Sequence, residues 1–470
     1  MRKFAALIAA MAMILTACSS GGGNTDSETT DSGDRDYLQI ASSEPSTLDP
    51  HLVTDVGSHS YVAKLFANLV RLDPALVDKD GNVVAVGAEA TTPDMVEKYR
   101  NGELEGSAVV VPDIAVELPD PEYNDDGTIS YTFKIREDAK FSNGRKVTAN
   151  DFAYSIERAA DPRTRSTTAE LYLGDILGVM DMQRGRINNL VSNQDDKVKV
   201  DLPGIEVLDE STIRITTDGG INSEVFLMKM TYPTASVVDK VQAESPARWT
   251  DRPNSTGPYV LVKKDVSEIV MEANPNYHGD QPKINRVVYL LAGGSTFLRY
   301  QNGELDLTGV GIADLDLLAQ ARDSSSEISK QYFETTDMAT SYIGLSSRTP
   351  PFDDPMVRKA FALAIDRTAI ATTVLQDLVI PAHGILPPGM PGYREDFQGQ
   401  NFNPDEARDL LARSSYGTDL PRIKLTVSGS GSSPSVVLQA IVESWRTHLG
   451  VEVEIEQVDY ATFLEELKRG

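Results

Sequence analysis

Two kinds of hydrophobic spacing recur along the 470-residue chain. Residues 129–136 alternate Ile, Tyr, Phe and Ile with polar residues, which predicts a strand with one buried face. Residues 148–151 have the sequence of a capping box, and the apolar spacing after them predicts a helix ending at Asp161-Pro162. Further strands are predicted at 37–40, 205–216 (a pair about a turn) and 287–291, and further helices at 61–70, 296–302 and 354–364.

Two regions depart from this simple pattern. The stretch from 72 to 127 is polar and rich in proline and aspartate, so we predict an irregular, elaborated loop there. Residues 423–468 read strand, helix, strand, helix, with Gly450 closing the first helix, which predicts parallel strands with a right-handed crossover. A lobe of this kind rarely stops on a helix, so we expect the chain to lack its natural C-terminus.

Composition narrows the class of protein. The chain has 44 Lys and Arg against 70 Asp and Glu, a net charge of -26, which argues against nucleic acid as a partner. Its length predicts two or three lobes. The single cysteine excludes an internal disulfide and a cysteine-rich zinc site.

The N-terminus predicts export and a lipid anchor. A basic start is followed by an apolar run, residues 4–15, that is too short to span a bilayer and is typical of a signal peptide. Residues 15–18 (Leu-Thr-Ala-Cys) resemble the lipobox of bacterial lipoproteins, in which the cysteine carries the lipid. We therefore expect residues 1–17 to be a signal peptide and Cys18 to be the lipidation site. Residues 18–36 contain almost no apolar side chains and should form a flexible tether.

A search for catalytic signatures finds no H-E-x-x-H, no G-x-x-x-x-G-K-[ST] and no G-x-S-x-G sequence. The five histidines have no metal-ligand spacing with a carboxylate, so solvated or locally bonded histidines are the better interpretation. These observations favour a binding protein over an enzyme. We expect this binding protein to have neither a cofactor nor a metal.

Seven segments, in this order, resemble the oligopeptide/dipeptide family (family 5, cluster C) of solute-binding lipoproteins that serve ABC importers. They are residues 46–51, 131–144, 147–152, 256–259, 274–277, 303–306 and 350–354 with 357–360. The resemblance implies an α/β fold of the two-lobed periplasmic-binding-protein type II class, with an extra subdomain inserted in the first lobe and an incomplete C-terminal part.

Mapped onto this chain, the family's architecture places lobe I at 37–65 and 200–276, the inserted subdomain at 66–199 and lobe II at 277–470. The implied function is capture of short peptides between the lobes by hinge closure, followed by delivery to an ABC permease at the outer face of the cell membrane. A monomer is expected. Three alternatives stay open: another solute (a dipeptide, a nickel chelate, an oligosaccharide or an opine), a peptide-sensing receptor or surface adhesin, and a secreted hydrolase.

The resemblance also implies ligand-binding residues. Thr54, Asp55 and Val56 would supply backbone partners for the peptide, although an ordinary loop is the alternative interpretation. Residues 340–344 would form a strand along the cleft that includes Tyr342, Ile343 and Gly344. Tyr460 would line an aromatic pocket; for both tyrosines, packing in a core is the alternative. The acidic residue that pairs with the peptide's amino group in the family would lie beyond residue 470, so we expect this chain to bind peptides poorly.

Overall fold

The computed structural model describes residues 36–185, 202–245, 248–291, 293–311, 314–332, 339–388, 390, 392–417, 419–429, 434–459, 462–463 and 466–467. The strands are β1 Leu38–Ala41, β2 Val70–Val77, β3 Val83–Val86, β4 Glu105–Pro112, β5 Pro121–Tyr123, β6 Ile129–Lys134, β7 Ile205–Asp209, β8 Thr212–Thr217, β9 Tyr259–Lys264, β10 Glu268–Ala273, β11 Arg286–Leu290, β12 Ile423–Ser428 and β13 Val453–Val458.

The helices are α1 Val56–Leu65, α2 Pro93–Arg100, α3 Ala149–Ala160, α4 Ala169–Leu173, α5 Val179–Gln183, α6 Ser223–Lys229, α7 Lys240–Ala243, α8 Thr296–Gln301, α9 Leu315–Arg322, α10 Pro355–Leu363, α11 Arg367–Ala369, α12 Pro404–Arg413 and α13 Val436–Leu449. None of the helices in these ranges has the length and hydrophobicity that a membrane crossing requires.

The first sheet has the strand order β1-β11-β10-β9, and its β1–β11 pair is parallel. Helix α1 covers it, and the first core contains Leu48, Val53, Tyr61, Leu65, Ile269, Met271 and Tyr289. Leu307 forms a parallel bridge with Ile40 at the outer edge of β1. The predicted lobe boundary at residue 276 therefore falls inside this sheet, because β11 and Leu307 follow it in sequence. The division into lobes stays a prediction.

The second sheet, β5-β6-β8-β7, is antiparallel. The predicted alternation of β6 is confirmed, since Tyr131 and Phe133 are fully buried on its inner face. The capping box of α3 is also confirmed: Thr148 and Asp151 bond reciprocally. This second core extends from Ala67 to Val237, so β7 and β8 pair with the predicted inserted subdomain rather than with the first sheet.

The prediction of an irregular region from 72 to 127 was wrong. It contains a three-stranded sheet, β3-β2-β4, and helix α2. Strand β4 has no buried residue, and the small core beneath the sheet consists of Leu76, Ala85, Ala90 and Leu104. With so few buried side chains, the strands carry no clear hydrophobic alternation.

The C-terminal part forms a separate core around β12 and β13. These strands pair in parallel and are joined by α13, as predicted, and Gly450 ends that helix with φ +70°. The predicted start of α10 is confirmed, because the Asp354 side chain accepts a hydrogen bond from the Met356 N–H. This third core contains Val357, Ala360, Phe361, Ala407, Leu411, Ile423 and Trp445. Most of the helix predicted at 460–468 lies outside the described residues.

Candidate functional site

The Asp55 side chain supports the loop that precedes α1. Its Oδ1 accepts a hydrogen bond from the Ser58 N–H (2.7 Å), and its Oδ2 accepts one from the Ser46 hydroxyl (2.6 Å). Burial alone would raise the pKa of this carboxyl, but the hydrogen bonds from Ser46 and Ser58 outweigh that effect and lower it. Asp55 is therefore an ionised N-cap whose oxygens already have partners.

The residues on either side of Asp55 are more accessible. Thr54 is partly exposed, and Val56 is 86% exposed at the first position of α1. An apolar side chain left this open is available to a ligand, whereas the Asp55 side chain is not. Of the three residues predicted here, two can offer a surface and the third fixes their position.

A buried polar cluster anchors the turn just before this loop. Arg158 of α3 donates to both carboxylate oxygens of Asp49 (3.0 and 2.6 Å) and approaches His51 Nδ1 at 2.7 Å. The other ring nitrogen of His51, Nε2, lies 3.1 Å from the Ser236 carbonyl, which can only accept, so Nε2 carries the proton and Nδ1 accepts from Arg158. Burial and the Arg158 charge lower the pKa of His51 to about 4, so this ring is neutral at pH 7.

A second buried polar cluster joins the same two cores at another point. His278 Nε2 lies 2.9 Å from Asp113 Oδ1, and Asp113 Oδ2 accepts from the Asn68 N–H at 3.1 Å. Arg136 donates to the His278 carbonyl at 2.9 Å. His278 lies between β10 and β11 of the first sheet, and Asp113 directly precedes Ile114 of the second core, so the two clusters hold the first and second cores together. The loop at 54–56 is therefore attached to two cores that both polar clusters hold together.

Three rings, hereafter the aromatic cluster, lie beside this loop: His59, Tyr172 and Tyr232. Tyr172 and Tyr232 stack with centroids 3.7 Å apart and planes at 4°, and His59 meets Tyr232 edge-on at 5.3 Å. Burial and the Tyr172 hydroxyl raise the pKa of Tyr232 to about 12, while burial and Lys64 lower the pKa of His59. The sequence did not reveal this cluster, because its members come from three distant segments.

The second predicted set lies in the C-terminal part of the molecule. Tyr342 is 73% exposed, Ile343 packs against the third core, and the space beside the Gly344 Cα is open. The strand expected at 340–344 is not formed, because none of the described strands hydrogen-bonds to this segment. Its neighbour is a loop: the Thr340 hydroxyl donates to the Ile385 carbonyl at 3.0 Å.

The two sets of predicted ligand residues, 54–56 and 342–344, are not joined by direct hydrogen bonds in the described part of the chain. Tyr460 and Cys18 lie outside the described residues. Within the described ranges, no three His, Cys, Asp or Glu side chains are grouped to hold a metal ion.

A shallow surface cavity of about 520 Å³ lies elsewhere, against β9 and the turn after it. Its lining mixes acidic and basic side chains and contains none of the predicted ligand residues. The physical arrangement favours the loop before α1 as the candidate site, since that loop combines a fixed backbone with accessible side chains.

Comparison with known proteins identifies the family. Residues 93–470 match the family model described as bacterial extracellular solute-binding proteins, family 5 Middle. The periplasmic oligopeptide-binding protein OppA of Salmonella typhimurium is 28% identical over 441 residues, which cover 91% of this chain and 71% of OppA. The oligopeptide-binding protein OppA of Bacillus subtilis is 25% identical over 478 residues, covering 97% of this chain and 77% of that protein.

Solved structures show the same architecture. Peptide-bound OppA of Listeria monocytogenes has a TM-score of 0.68 and 22% identity, covering 91% of this chain and 78% of that one. The murein tripeptide binding protein MppA of Escherichia coli has a TM-score of 0.68 and 23% identity, covering 92% and 76%. The predicted α/β two-lobed fold is thus confirmed. The chain belongs to the bacterial extracellular solute-binding proteins of family 5, which bind solutes and are not enzymes.

Proposed function

We propose that this protein captures oligopeptides outside the cytoplasm and delivers them to the permease of an ABC importer. The observation that carries the proposal is the 28% identity to an oligopeptide-binding protein across 91% of the chain. A match over 91% of the chain includes both segments that contain predicted ligand residues, 54–56 and 340–344. Peptides are therefore the first ligand class to test.

The backbone of the second segment suits an extended peptide. Residues 340–344 have no strand partner among the described residues, so their N–H and C=O groups can pair with a ligand backbone. Gly344 adds an open position where another chain can approach closely, because nothing lies within 4 Å of a Cβ built there. Backbone pairing of this kind gives affinity without a strong preference for particular side chains.

Capture requires the two segments to act on one ligand. Thr54 and Val56 follow Val53 of the first core, and Tyr342 precedes Ile343, which packs against the third. A peptide that contacts both binds the closed arrangement better than the open one, so binding shifts the population toward closure. Closure then gives a permease a distinct form to recognise.

The proposal includes a location. Lipidation of Cys18, followed by the polar tether at 18–36, would hold a monomeric binding domain close to its permease. Mass spectrometry of the mature protein from membranes tests this part: a diacylglycerol-modified N-terminal Cys18 is expected. A Cys18→Ser variant should be released into the soluble extracytoplasmic fraction, and equal membrane retention of this variant would contradict the anchor.

Ligand identification tests the central part of the proposal. The full chain is purified, denatured, and its released small molecules are analysed by mass spectrometry. A mixed pool of short peptides is expected, and a single sugar, opine or metal chelate would overturn peptide capture. Titration of the full chain with synthetic peptides should accompany the analysis.

Uptake separates import from sensing. Cells that lack the gene should accumulate less of a labelled tetrapeptide than their parent, and the intact gene should restore uptake. Unchanged uptake together with altered transcription in response to the peptide would identify a receptor instead.

A further inference from the structure

The aromatic cluster lies on the same side of α1 as a predicted ligand residue. His59 follows Val56 by three positions, and residues three apart are neighbours on a helix surface. The His59 N–H also donates to the Asp55 carbonyl at 3.0 Å, which fixes the first turn of α1 relative to the loop. A ligand that reaches the 86%-exposed Val56 side chain is thus within reach of these rings.

The cluster joins two parts of the molecule. His59 comes from the helix of the first core, whereas Tyr172 comes from α4, which packs on the second core. Tyr232 lies between them and contacts both rings. Since the two cores are held together by buried polar clusters, the rings form a fixed surface rather than one that must be assembled on binding.

The surroundings of the rings are close to electrically neutral. The charged groups that face His59 are Asp55 and Lys64, of opposite sign. Both already have partners, because Asp55 accepts from Ser46 and Ser58 and the Lys64 ammonium donates to the Ser60 carbonyl at 2.7 Å. A strongly charged side chain would therefore meet charges of both signs here, whereas an uncharged ring could pack on the tyrosines.

All three rings remain partly exposed despite their mutual contacts. Aromatic pairs prefer offset-stacked or edge-to-face arrangements, and such a pair contributes beyond simple burial of area. In the described part of the chain, the ring contact of Tyr172 is with Tyr232, which leaves its opposite side without a ring partner. Tyr172 is therefore the ring best placed to receive a further aromatic group.

From this arrangement we infer that His59, Tyr172 and Tyr232 form a subsite for an aromatic side chain of the bound peptide. The inference rests on the proposed peptide binding and adds a preference to it. Backbone pairing accepts any sequence, and the aromatic cluster would favour phenylalanine, tyrosine or tryptophan at one ligand position.

Calorimetric titration of the full chain tests the subsite. The probes are tetra-alanine, the four tetrapeptides that carry one phenylalanine, and the four that carry one lysine. One phenylalanine peptide should bind about 3- to 10-fold more tightly than tetra-alanine. Tyr172→Ala should remove this gain, so that this variant binds the phenylalanine peptide and tetra-alanine with equal affinity. Tyr123→Ala, which truncates a 74%-exposed tyrosine on β5, is the matched control and should preserve the gain.

The other outcomes separate the two proposals. Binding of tetra-alanine with no phenylalanine gain, or a gain that survives Tyr172→Ala, would overturn the subsite and leave peptide capture intact. A larger gain from lysine would also overturn it. If no peptide binds the unaltered chain, the proposed function fails and the subsite fails with it. Tyr172→Leu, which keeps an apolar side chain, guards against misfolding, and it too should lose most of the gain.

Discussion

The two segments proposed to hold the ligand are fixed in very different ways. Residues 54–56 follow a turn held by the partly buried Arg158, and Asp55 caps the helix that begins there. Residues 340–344 are held by the hydrogen bond from Thr340 to Ile385 and by the packing of Ile343, while Tyr342 stays 73% exposed. One side of the site is thus preformed, and the other can adjust to a ligand.

This difference suits the proposed capture of peptides of varied sequence. A rigid wall lowers the entropy cost of binding, because it is already ordered before the ligand arrives. An adjustable wall accepts ligands of different shape. Substitutions in the rigid part should therefore change stability, and substitutions in the adjustable part should change affinity alone.

The largest effect is expected from Arg158→Ala. It leaves the Asp49 carboxylate, 5% exposed, without its cationic partner, and breaking a buried ion pair typically costs about 3–5 kcal/mol. Urea unfolding at pH 7, followed by circular dichroism, measures the loss. Arg163→Ala, which removes an arginine that is 64% exposed from its pair with Asp161, should cost at most about 1 kcal/mol. Equal losses in the two variants would show that the buried cluster does not fix the scaffold.

The second effect concerns pH. The pKa of His51 falls from 6.5 to about 4 in the folded protein, so the unfolded chain takes up the proton first as the pH drops. Stability from this residue is complete above pH 6.5, declines between 6.5 and about 4, and then levels off, a total of roughly 3 kcal/mol.

Urea midpoints at pH 7, 5.5 and 4 measure this decline. The carboxylates titrate in the same range, so the informative quantity is the difference between the unaltered chain and His51→Gln. That difference should shrink as the pH falls, because only the unaltered chain loses the histidine contribution. A difference that stays constant from pH 7 to pH 4 would contradict a buried, neutral His51.

Asp55→Ala should produce a smaller loss of stability. Removal of an N-cap costs about 1 kcal/mol, and the Ser46 hydroxyl loses its acceptor as well. The same unfolding assay applies, with Asp396→Ala as control because that carboxylate is 75% exposed and pairs with the exposed Arg394. Peptide affinity should also fall, since the backbone of Thr54 and Val56 loses its support. A loss no greater than that of the control would indicate that the loop is held by other contacts.

Tyr342→Ala should leave stability within about 0.5 kcal/mol of the unaltered chain, because Tyr342 is 73% exposed. Its affinity for peptide should nevertheless fall more than about fivefold, as expected for an aromatic contact at the centre of an interface. Tyr123→Ala again serves as the control with similar exposure. Unchanged affinity would remove Tyr342 from the site.

Local signals in the sequence predicted much of the fold. The alternation in β6, the capping box of α3, the Asp354-Pro355 start of α10 and Gly450 after α13 each depend on neighbouring residues, and each was confirmed. The sheet between 72 and 127 was missed because Pro74 lies within β2 and argues against a strand, and because its core is small.

The site was harder to predict than the fold, because it depends on contacts between distant residues. Arg158 is 109 positions from Asp49, and Tyr232 meets rings from two other segments. The resemblance indicated Asp55 as a backbone partner of the ligand, which stays a prediction, and it gave no sign that the Asp55 side chain is buried and caps α1. No spacing in the sequence distinguishes a carboxylate that binds ligand from one that holds a loop in place.

Amide hydrogen exchange with and without peptide is the most direct test of a site built from one rigid and one adjustable segment. The full chain is compared alone and with saturating tetra-alanine or its tightest-binding phenylalanine variant. Slower exchange is expected at 54–59 and 340–345 together, with the larger change in the second segment, and no change is expected in β3 or α2. Protection confined to one of the two segments, or found only in the sheet of β2, β3 and β4, would contradict the account.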